Sequence, residues 1–345
     1  MTLKSEIFEQ PDVLTRLLES QAQTVRSLAR AIQKHQPNYV FLAARGTSDN
    51  AGLYAKYLWA VFNRLPIALA APSLFTLYKQ PPSLKGALVV GISQSGQSPD
   101  IVGVLEEGRR QRQPTLAITN TPDSPLGQAA DFVIDIQAGP EKAVAATKTY
   151  TAELMAIAML SVAMEDLGGR QAALAAVPGW VGQALALDER LAQIAQRYRF
   201  MEQCVVLGRG YNYSTAYEWS LKLKELTYVL AEPYSSADFQ HGPVALVERG
   251  YPVLAIAPGG GVYPSMLELL RRLSQEQMAD LMVISDQQSA LELARSPLPL
   301  PTGIPEWLSP IVSIVPGQLF AYFLTLEKGF DTEAPRSIHK VTETR

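Results

Sequence analysis

The sequence has few of the residues that build disulfide-bonded, metal-dependent or nucleic-acid-binding proteins. It contains one cysteine, Cys204, and three histidines in 345 residues, and its formal net charge is -3. A single cysteine excludes an internal disulfide and is typical of a reducing compartment. With so few histidines and no metal-ligand spacing, we expect no metal and no other cofactor. The slightly acidic balance gives no reason to expect a nucleic-acid partner.

Long apolar runs and a secretory leader are also missing. No stretch is interpreted as long and apolar enough to span a membrane, and the opening residues, Met1 to Glu6, lack the apolar core of a signal peptide. Hydrophobic residues make up 47% of the chain and charged residues 18%, as in ordinary globular proteins. We therefore expect a cytoplasmic protein without a membrane partner, long enough for two domains.

What the sequence does contain is an alternation of strand and helix patterns that runs twice along the chain. Leading helices over residues 1–36 precede a first unit over 37–168, and a helical connector over 169–199 precedes a second unit over 200–330. Residues 331–345 are interpreted as a polar tail. The alternation predicts an α/β fold in which each unit is a doubly wound parallel sheet flanked by helices.

Proline decides the interpretation of two segments in the second unit. Pro233 lies in the run from Ala231 to Tyr234, which is interpreted as the break after a helix over Ser214 to Val229. The run from Ser296 to Pro301 contains three prolines and is interpreted as a loop. The last helix is then placed near Gln318 to Glu327.

The most informative segment runs from Gly91 to Asp100, where a buried-strand pattern leads into a turn rich in serine and glycine. Ser98 is the predicted N-cap of the next helix and Pro99 its first residue. Unpaired amides at a helix N-terminus attract an anion, and the serine hydroxyls add donors. The turn predicts a site for one phosphate monoester, although a serine-rich turn without a ligand is the alternative.

Proton-transfer candidates lie in the second unit. On the helix over Ser214 to Val229, Glu218, Lys222 and Glu225 share a stripe beside the apolar one. A surface ladder of ion pairs is the alternative interpretation of that stripe. His241 lies in a loop before Gly242 and Pro243, which suits proton transfer at neutral pH. Lys340 in the tail could be a nucleophile if its pKa were lowered, which the sequence leaves open.

These segments together resemble the tandem sugar-isomerase (SIS) family, in particular the isomerase half of glucosamine-6-phosphate synthase and its stand-alone relatives. The resemblance covers nearly the whole chain in the right order. The segments that carry it are Arg45-Gly46-Thr47-Ser48, Ser93-Gln94-Ser95-Gly96, Glu141 to Lys148, Lys222-Leu223-Lys224-Glu225, His241-Gly242-Pro243 and Pro335-Arg336 to Lys340.

The resemblance implies roles for individual residues. Glu225 would move a proton between C1 and C2 of an open-chain sugar, with Lys222 as a further catalytic residue. His241 would assist ring opening, and Lys340 would form or support an imine. The residues implied in substrate and phosphate binding are Arg45, Gly46, Thr47, Ser48, Ser93, Gln94, Ser95, Ser98, Val144 and Ala146. It also implies a homodimer in which the His241 loop is shared between subunits.

Departures from the synthase pattern direct the choice of reaction. Met1 and Thr2 lead almost directly into the first unit, so no glutaminase domain is expected, and Arg45 and Ala146 replace a cysteine and a serine of the synthases. The resemblance therefore implies an aminosugar-phosphate isomerase or deaminase that converts glucosamine 6-phosphate to fructose 6-phosphate and ammonia. The alternatives are action on another phosphosugar, such as a fructosamine 6-phosphate, or a non-catalytic phosphosugar-binding regulator.

Overall fold

The computed structural model describes residues 2–165 and 169–340. The predicted end of the first unit, at residue 168, and the predicted tail beyond residue 340 lie outside the described residues. In chain order the helices are α1 (Leu3–Phe8), α2 (Gln10–His35), α3 (Gly46–Asn63), α4 (Ser73–Thr76), α5 (Pro99–Arg110), α6 (Pro125–Ala129), α7 (Lys148–Met164), α8 (Arg170–Leu185), α9 (Asp188–Arg197), α10 (Tyr213–Thr227), α11 (Ser236–Gln240), α12 (Tyr263–Gln275), α13 (Gln288–Leu291) and α14 (Ser309–Glu327).

The strands form two five-stranded sheets in which every pairing is parallel. The order is β2-β1-β3-β4-β5 in one sheet and β10-β9-β8-β6-β7 in the other. The strands are β1 (Tyr39–Ala43), β2 (Ile67–Leu69), β3 (Ala87–Ile92), β4 (Thr115–Thr119), β5 (Phe132–Asp135), β6 (Gln203–Gly208), β7 (Leu230–Ser235), β8 (Pro252–Ile256), β9 (Asp280–Ser285) and β10 (Ser296–Pro299). The predicted fold class is confirmed.

The described chain divides into two units, each with one of the sheets. The N-terminal unit comprises residues 9–142, 146–165, 169–176 and 339–340, and the C-terminal unit comprises residues 2–8, 143–145 and 177–338. In the N-terminal unit α7 is almost entirely buried and packs against α2 and α3. In the C-terminal unit α14 has the same role and packs against α1, α9 and α10. Burial of whole apolar helices and strands supplies each core.

The strands at the edges of the second sheet differ from the sequence predictions. The segment Leu230–Ser235, expected to end a helix without forming a strand, is β7, and Ser296–Pro299, expected to be a loop, is β10. Both contain proline, which donates no backbone hydrogen bond and is tolerated at a sheet edge. Each strand pairs on one side only, so the proline rule used to exclude them does not apply there.

Helix α14 begins nine residues before the predicted start because proline is tolerated inside it. Pro316 lies within the helix, and Pro310 is in its first turn. The stretch Glu306–Glu327 is long and apolar enough to cross a membrane by composition, contrary to the sequence interpretation, but 89% of its apolar window is buried within the structure. That degree of burial is typical of a core helix.

One glycine in α14 marks where two helices of the C-terminal unit pack most closely. A Cβ at Gly317 would lie 3.0 to 3.1 Å from three atoms of the Trp219 ring. Trp219 is fully buried and meets Phe320 edge-on, with centroids 6.0 Å apart. The ring therefore has little room to move away from an added methyl group.

We predict that Gly317→Ala destabilises the protein by about 1 kcal/mol or more, because crowding against Trp219 outweighs the helix propensity gained. Gly182→Ala is the matched control, since Gly182 is an exposed glycine of α8 whose added Cβ would meet nothing within 4 Å in the described structure apart from its chain neighbours and its own helix backbone. That variant should gain roughly 0.5 to 1 kcal/mol. Denaturant unfolding measures both changes, and equal stabilisation by the two substitutions would contradict the packing described.

Candidate functional site

Two turns of the N-terminal unit leave the same edge of its sheet. Strands β1 and β3 pair in parallel, with Ala43 opposite Gly91. The turns that follow them, Arg45 to Ser48 and Ser93 to Ser98, therefore start from neighbouring strand ends. In open parallel sheets, ligands bind in such crevices at the carboxyl ends of the strands. The fold thus brings the two predicted phosphate-binding segments together.

The serine turn is held in one conformation by its backbone. Gly96 has a φ of +64°, and a Cβ there would lie 1.9 Å from the Ser124 hydroxyl, so the position requires glycine. The Gly96 N–H donates to Ser93 Oγ at 3.2 Å, and the Asn120 N–H donates to the Gln94 carbonyl at 3.1 Å. The turn is therefore anchored both within itself and against the end of β4.

The start of α5 follows the sequence prediction. Ser98 occupies the N-cap position with extended backbone angles, and Pro99 is in the first turn. In the described part of the chain the Ser98 side chain makes no capping hydrogen bond to its own helix. The hydroxyls of Ser95 and Ser98 are half-buried beside the helix N-terminus, where a phosphate group would meet both hydroxyl donors and the positive end of the helix dipole.

Two predicted phosphate-binding residues have carboxylate partners in the N-terminal unit. Arg45 Nε forms an ion pair with the buried Asp100 carboxylate at 2.8 Å. Ser48 Oγ donates to Glu153 Oε1 at 2.8 Å, which joins α3 to α7. Gly46, with a φ of +54°, and half-buried Thr47 lie between Arg45 and Ser48 and begin α3. Arg45 and Ser48 therefore lie near the serine turn, and each also contacts a carboxylate of another helix.

The predicted nucleophile Lys340 contacts a residue that the sequence analysis did not assign to the site. Lys340 Nζ lies 2.6 Å from Glu141 Oε2. The same buried carboxylate accepts hydrogen bonds from the backbone N–H groups of Thr147 and Thr149, at 3.0 and 3.1 Å, and from Thr149 Oγ1 at 2.8 Å. Glu141 thus lies at the N-terminus of α7, where the helix dipole favours a negative charge.

Glu141 is ionised in this setting. Burial raises the pKa of its carboxyl, but the Lys340 ammonium and the hydrogen bonds at its oxygens outweigh that effect and hold the pKa below its usual value. The predicted substrate-binding residues Val144 and Ala146 lie in the loop between Glu141 and α7, both half-buried.

The proton-transfer candidates of the C-terminal unit form a buried ionic cluster on α10. Lys222 Nζ lies 2.6 Å from Glu225 Oε2 and 3.3 Å from Glu218 Oε1. The side chains of Lys222 and Glu218 are essentially inaccessible, whereas that of Glu225 is 24% exposed. The ion pairs have the i,i+4 and i,i+3 spacing of the alternative interpretation, but Glu218 and Lys222 are buried and not on the surface.

The charge on Lys222 is fixed by its neighbours. Burial acts to lower the pKa of Lys222, but the carboxylates of Glu218 and Glu225 outweigh burial and raise the pKa above its usual value. Lys222 is therefore an ammonium group at neutral pH. It can orient and stabilise charge on Glu225, whereas a nucleophilic role would require it to lose a firmly held proton.

His241 shares no hydrogen bond or ion pair with the α10 cluster in the described structure. It ends the short helix α11, its backbone N–H donates to the Asp238 carbonyl at 3.0 Å, and its side chain is exposed. Within residues 2–165 and 169–340 the imidazole forms no hydrogen bond or ion pair. The structure thus places His241 on an accessible loop of the C-terminal unit.

Two residues of these contacts had no assigned role. Glu218 was placed on the stripe with Lys222 and Glu225 by helix periodicity, without a role of its own. Glu141 begins a segment that carries the resemblance, but its contact gave no sequence signal, because its partner Lys340 lies 199 residues further along the sequence.

Comparison with known proteins places the chain beside sugar-phosphate enzymes. A family model described as the SIS domain matches residues 35–163 and 201–328. A glutamine–fructose-6-phosphate aminotransferase (isomerizing) from Zymomonas mobilis subsp. mobilis is 31% identical over 354 residues, which include 98% of this chain and 58% of the relative. The chain thus spans little more than half the length of that curated relative.

Solved structures agree with this comparison. The C-terminal domain of glucosamine-fructose-6-phosphate aminotransferase from Francisella tularensis has a TM-score of 0.86 and 28% identity, covering 96% of this chain and 98% of that one. Glucosamine-6-phosphate deaminase from Thermotoga maritima has a TM-score of 0.82 over 100% of both chains. At 18% identity, the similarity to this deaminase concerns the fold alone.

The Glu141 ion pair predicts a stability that depends on pH. Because the folded pKa of Glu141 is lowered, its contribution is fully present above the unfolded value of about 4.5 and is lost as the pH falls through the folded value. Glu141→Gln should cost about 3 kcal/mol at pH 7, as expected for breaking a buried pair. Denaturant unfolding at several pH values measures this cost.

Glu19→Gln, a change at an exposed position of α2, is the matched control and should show no such cost. The difference between wild type and Glu141→Gln should shrink on acidification. A difference that stayed constant from neutral to strongly acidic pH would contradict the assignment of an ionised, stabilising Glu141.

Proposed function

The chain belongs to the SIS domain family, and we propose that it is a cytoplasmic aminosugar-phosphate deaminase that converts glucosamine 6-phosphate to fructose 6-phosphate and ammonia. The observation that carries the proposal is the buried cluster on α10, where Glu225 is the accessible member beside a fixed positive charge. Moving a proton next to a carbonyl requires a carboxylate base of this kind. The name of the Thermotoga maritima structure agrees with this reaction.

The phosphate end of the substrate is assigned to the N-terminal unit. The serine turn offers a rigid backbone, the hydroxyls of Ser95 and Ser98, and the N-terminus of α5. Donors of this kind suit a phosphate monoester, because they satisfy its oxygens with hydrogen bonds and the helix dipole. Thr47 and Gln94 complete the proposed phosphate contacts.

The reaction assigned to the cluster on α10 is a proton transfer followed by hydrolysis. In the open-chain sugar, C1 is an aldehyde and C2 bears the amine. Glu225 removes the C2 proton and returns it to C1, while a second proton passes from the amino nitrogen to the carbonyl oxygen. C1 thereby becomes a hydroxymethyl group and C2 becomes an imine. Water then adds to the imine carbon and ammonia leaves, so that C2 becomes the ketone of fructose 6-phosphate. Lys222 stays beside Glu225 as a positive charge throughout.

His241 and Lys340 act on the ring and on the carbonyl. The exposed imidazole of His241 takes and returns the proton of ring opening. Lys340 forms an ion pair with Glu141, and as a cation it polarises the carbonyl oxygen. An imine to Lys340 would require that ion pair to open and the amine to lose a proton.

The proposed assembly is a homodimer in which the His241 loop serves the neighbouring subunit. The loop is exposed and carries an apolar side chain, Leu246, of which 52% is accessible. The exposed position leaves His241 accessible to a second chain, as the proposed assembly requires.

We expect Glu225→Gln to lower turnover of glucosamine 6-phosphate by roughly 10²- to 10⁴-fold, because the amide cannot accept the C2 proton. Binding of the sugar phosphate should change little, because the phosphate contacts lie in the serine turn. Steady-state kinetics and calorimetry measure the two quantities. Glu248→Gln, at an exposed glutamate, is the control. Equal losses of binding and turnover in the Glu225 variant would refute its role as the proton carrier.

Ser95→Ala should weaken binding of glucosamine 6-phosphate roughly tenfold or more, the effect of losing one hydrogen bond to a charged group. Ser20→Ala, an exposed serine of α2, is the control and should bind normally. Isothermal titration calorimetry compares the three proteins. An unchanged affinity for Ser95→Ala would move the phosphate away from the serine turn.

A further inference from the structure

The second sheet repeats the topology of the first, so it also has a turn in the position of the phosphate turn. The strand orders β2-β1-β3-β4-β5 and β7-β6-β8-β9-β10 are the same. Strand β8 therefore corresponds to β3, and α12 corresponds to α5. The turn between β8 and α12 contains Gly259, Gly260 and Gly261 where the first repeat has its serines.

A carboxylate of the chain itself lies on this second turn. Glu306, in the short 3-10 turn before α14, accepts a hydrogen bond from the Gly261 N–H at 2.7 Å and a longer one from the Val262 N–H at 3.4 Å. Both donors immediately precede Tyr263, where α12 begins. A negatively charged group thus occupies the position at which a helix N-terminus holds an anion.

The glycines shape the turn around that carboxylate. Gly260 has a φ of +149°, and an added Cβ would lie 2.3 Å from the carboxyl carbon and from Oε2 of Glu306. Any side chain at this position would displace Glu306. The Gly259 N–H has a different acceptor, Asp286 Oδ1 at 2.7 Å, which fixes the start of the turn.

A cation beside the turn distinguishes it further from the first repeat. Arg209 follows β6 as Arg45 follows β1, but the two arginines have different partners. Arg45 pairs with the Asp100 carboxylate, whereas Arg209 Nη1 donates to the neutral hydroxyl of Ser265 at 3.2 Å. Asp100 and Ser265 each follow the proline in the first turn of their helices. Over the described residues Arg209 has no ion-pair partner within 4.0 Å, so its charge is available to an anion at this turn.

We infer that the second repeat retains an anion-binding turn whose ligand is the chain's own Glu306 carboxylate, and that this internal ligand excludes phosphate from it. The chain then binds one phosphate group rather than two, although the two repeats have the same strand order and each has an arginine at the corresponding position. Without the Glu306 carboxylate, the turn should accept inorganic phosphate or a phosphate monoester. This inference does not depend on the reaction proposed above.

The test counts phosphate bound per chain by equilibrium dialysis against radiolabelled inorganic phosphate. Glu306→Ala should bind about one phosphate more per chain than the wild type, because two amides lose their internal ligand beside the available charge of Arg209. Adding Arg209→Gln to Glu306→Ala should remove the additional binding. Glu292→Ala removes an exposed carboxylate of the same unit and should bind as the wild type does.

Circular dichroism establishes that each variant is folded, and Glu306→Ser, which keeps a small polar side chain, replaces Glu306→Ala if the latter does not fold. If a folded Glu306 variant is less stable but binds no additional phosphate, Glu306 is only a helix cap and the inference is overturned. Additional phosphate on the wild-type turn would overturn it as well. Since the count uses inorganic phosphate and no turnover, failure of the proposed reaction would leave this result interpretable.

Discussion

The ammonium group of Lys222, buried between two carboxylates on one helix, is the constraint on which the proposed chemistry depends. A buried charge is tolerated only when it is paired, and the spacing of Glu218, Lys222 and Glu225 on α10 provides two carboxylate partners within one helix. Since only Glu225 of the three retains substantial exposure, the cluster presents one carboxylate outward and keeps its counter-charge inside. That arrangement places the proposed base next to a fixed cation.

The same fold is used differently in the two repeats. In the N-terminal unit the turn after β3 carries serines and is followed by α5, whose N-cap side chain makes no capping hydrogen bond in the described part of the chain. In the C-terminal unit the corresponding turn carries glycines and holds Glu306. A repeat can therefore preserve its strand order and its arginine while one turn offers donors to a ligand and the other satisfies its donors internally.

Much of the fold and of the serine turn could be predicted from the sequence, because the patterns that indicate them involve residues close together in the chain. The two runs of alternating strand and helix patterns correspond to the two parallel sheets, and Ser98 and Pro99 took their expected positions at α5. The predictions were wrong where proline lies in an edge strand, as in β7 and β10, since a local rule does not reveal which strand is at the edge. Contacts across long sequence separations, such as Glu141 with Lys340 and Gly261 with Glu306, carried no local signal at all.

The most direct test of the central claim is the release of ammonia and fructose 6-phosphate from glucosamine 6-phosphate by the purified chain. Glucose 6-phosphate and a fructosamine 6-phosphate are assayed beside it under the same conditions. A deaminase of the proposed kind releases both products in equal amounts from glucosamine 6-phosphate. Turnover of another sugar alone would contradict the proposed substrate, and tight binding of all three sugars without turnover would identify a phosphosugar-binding regulator instead.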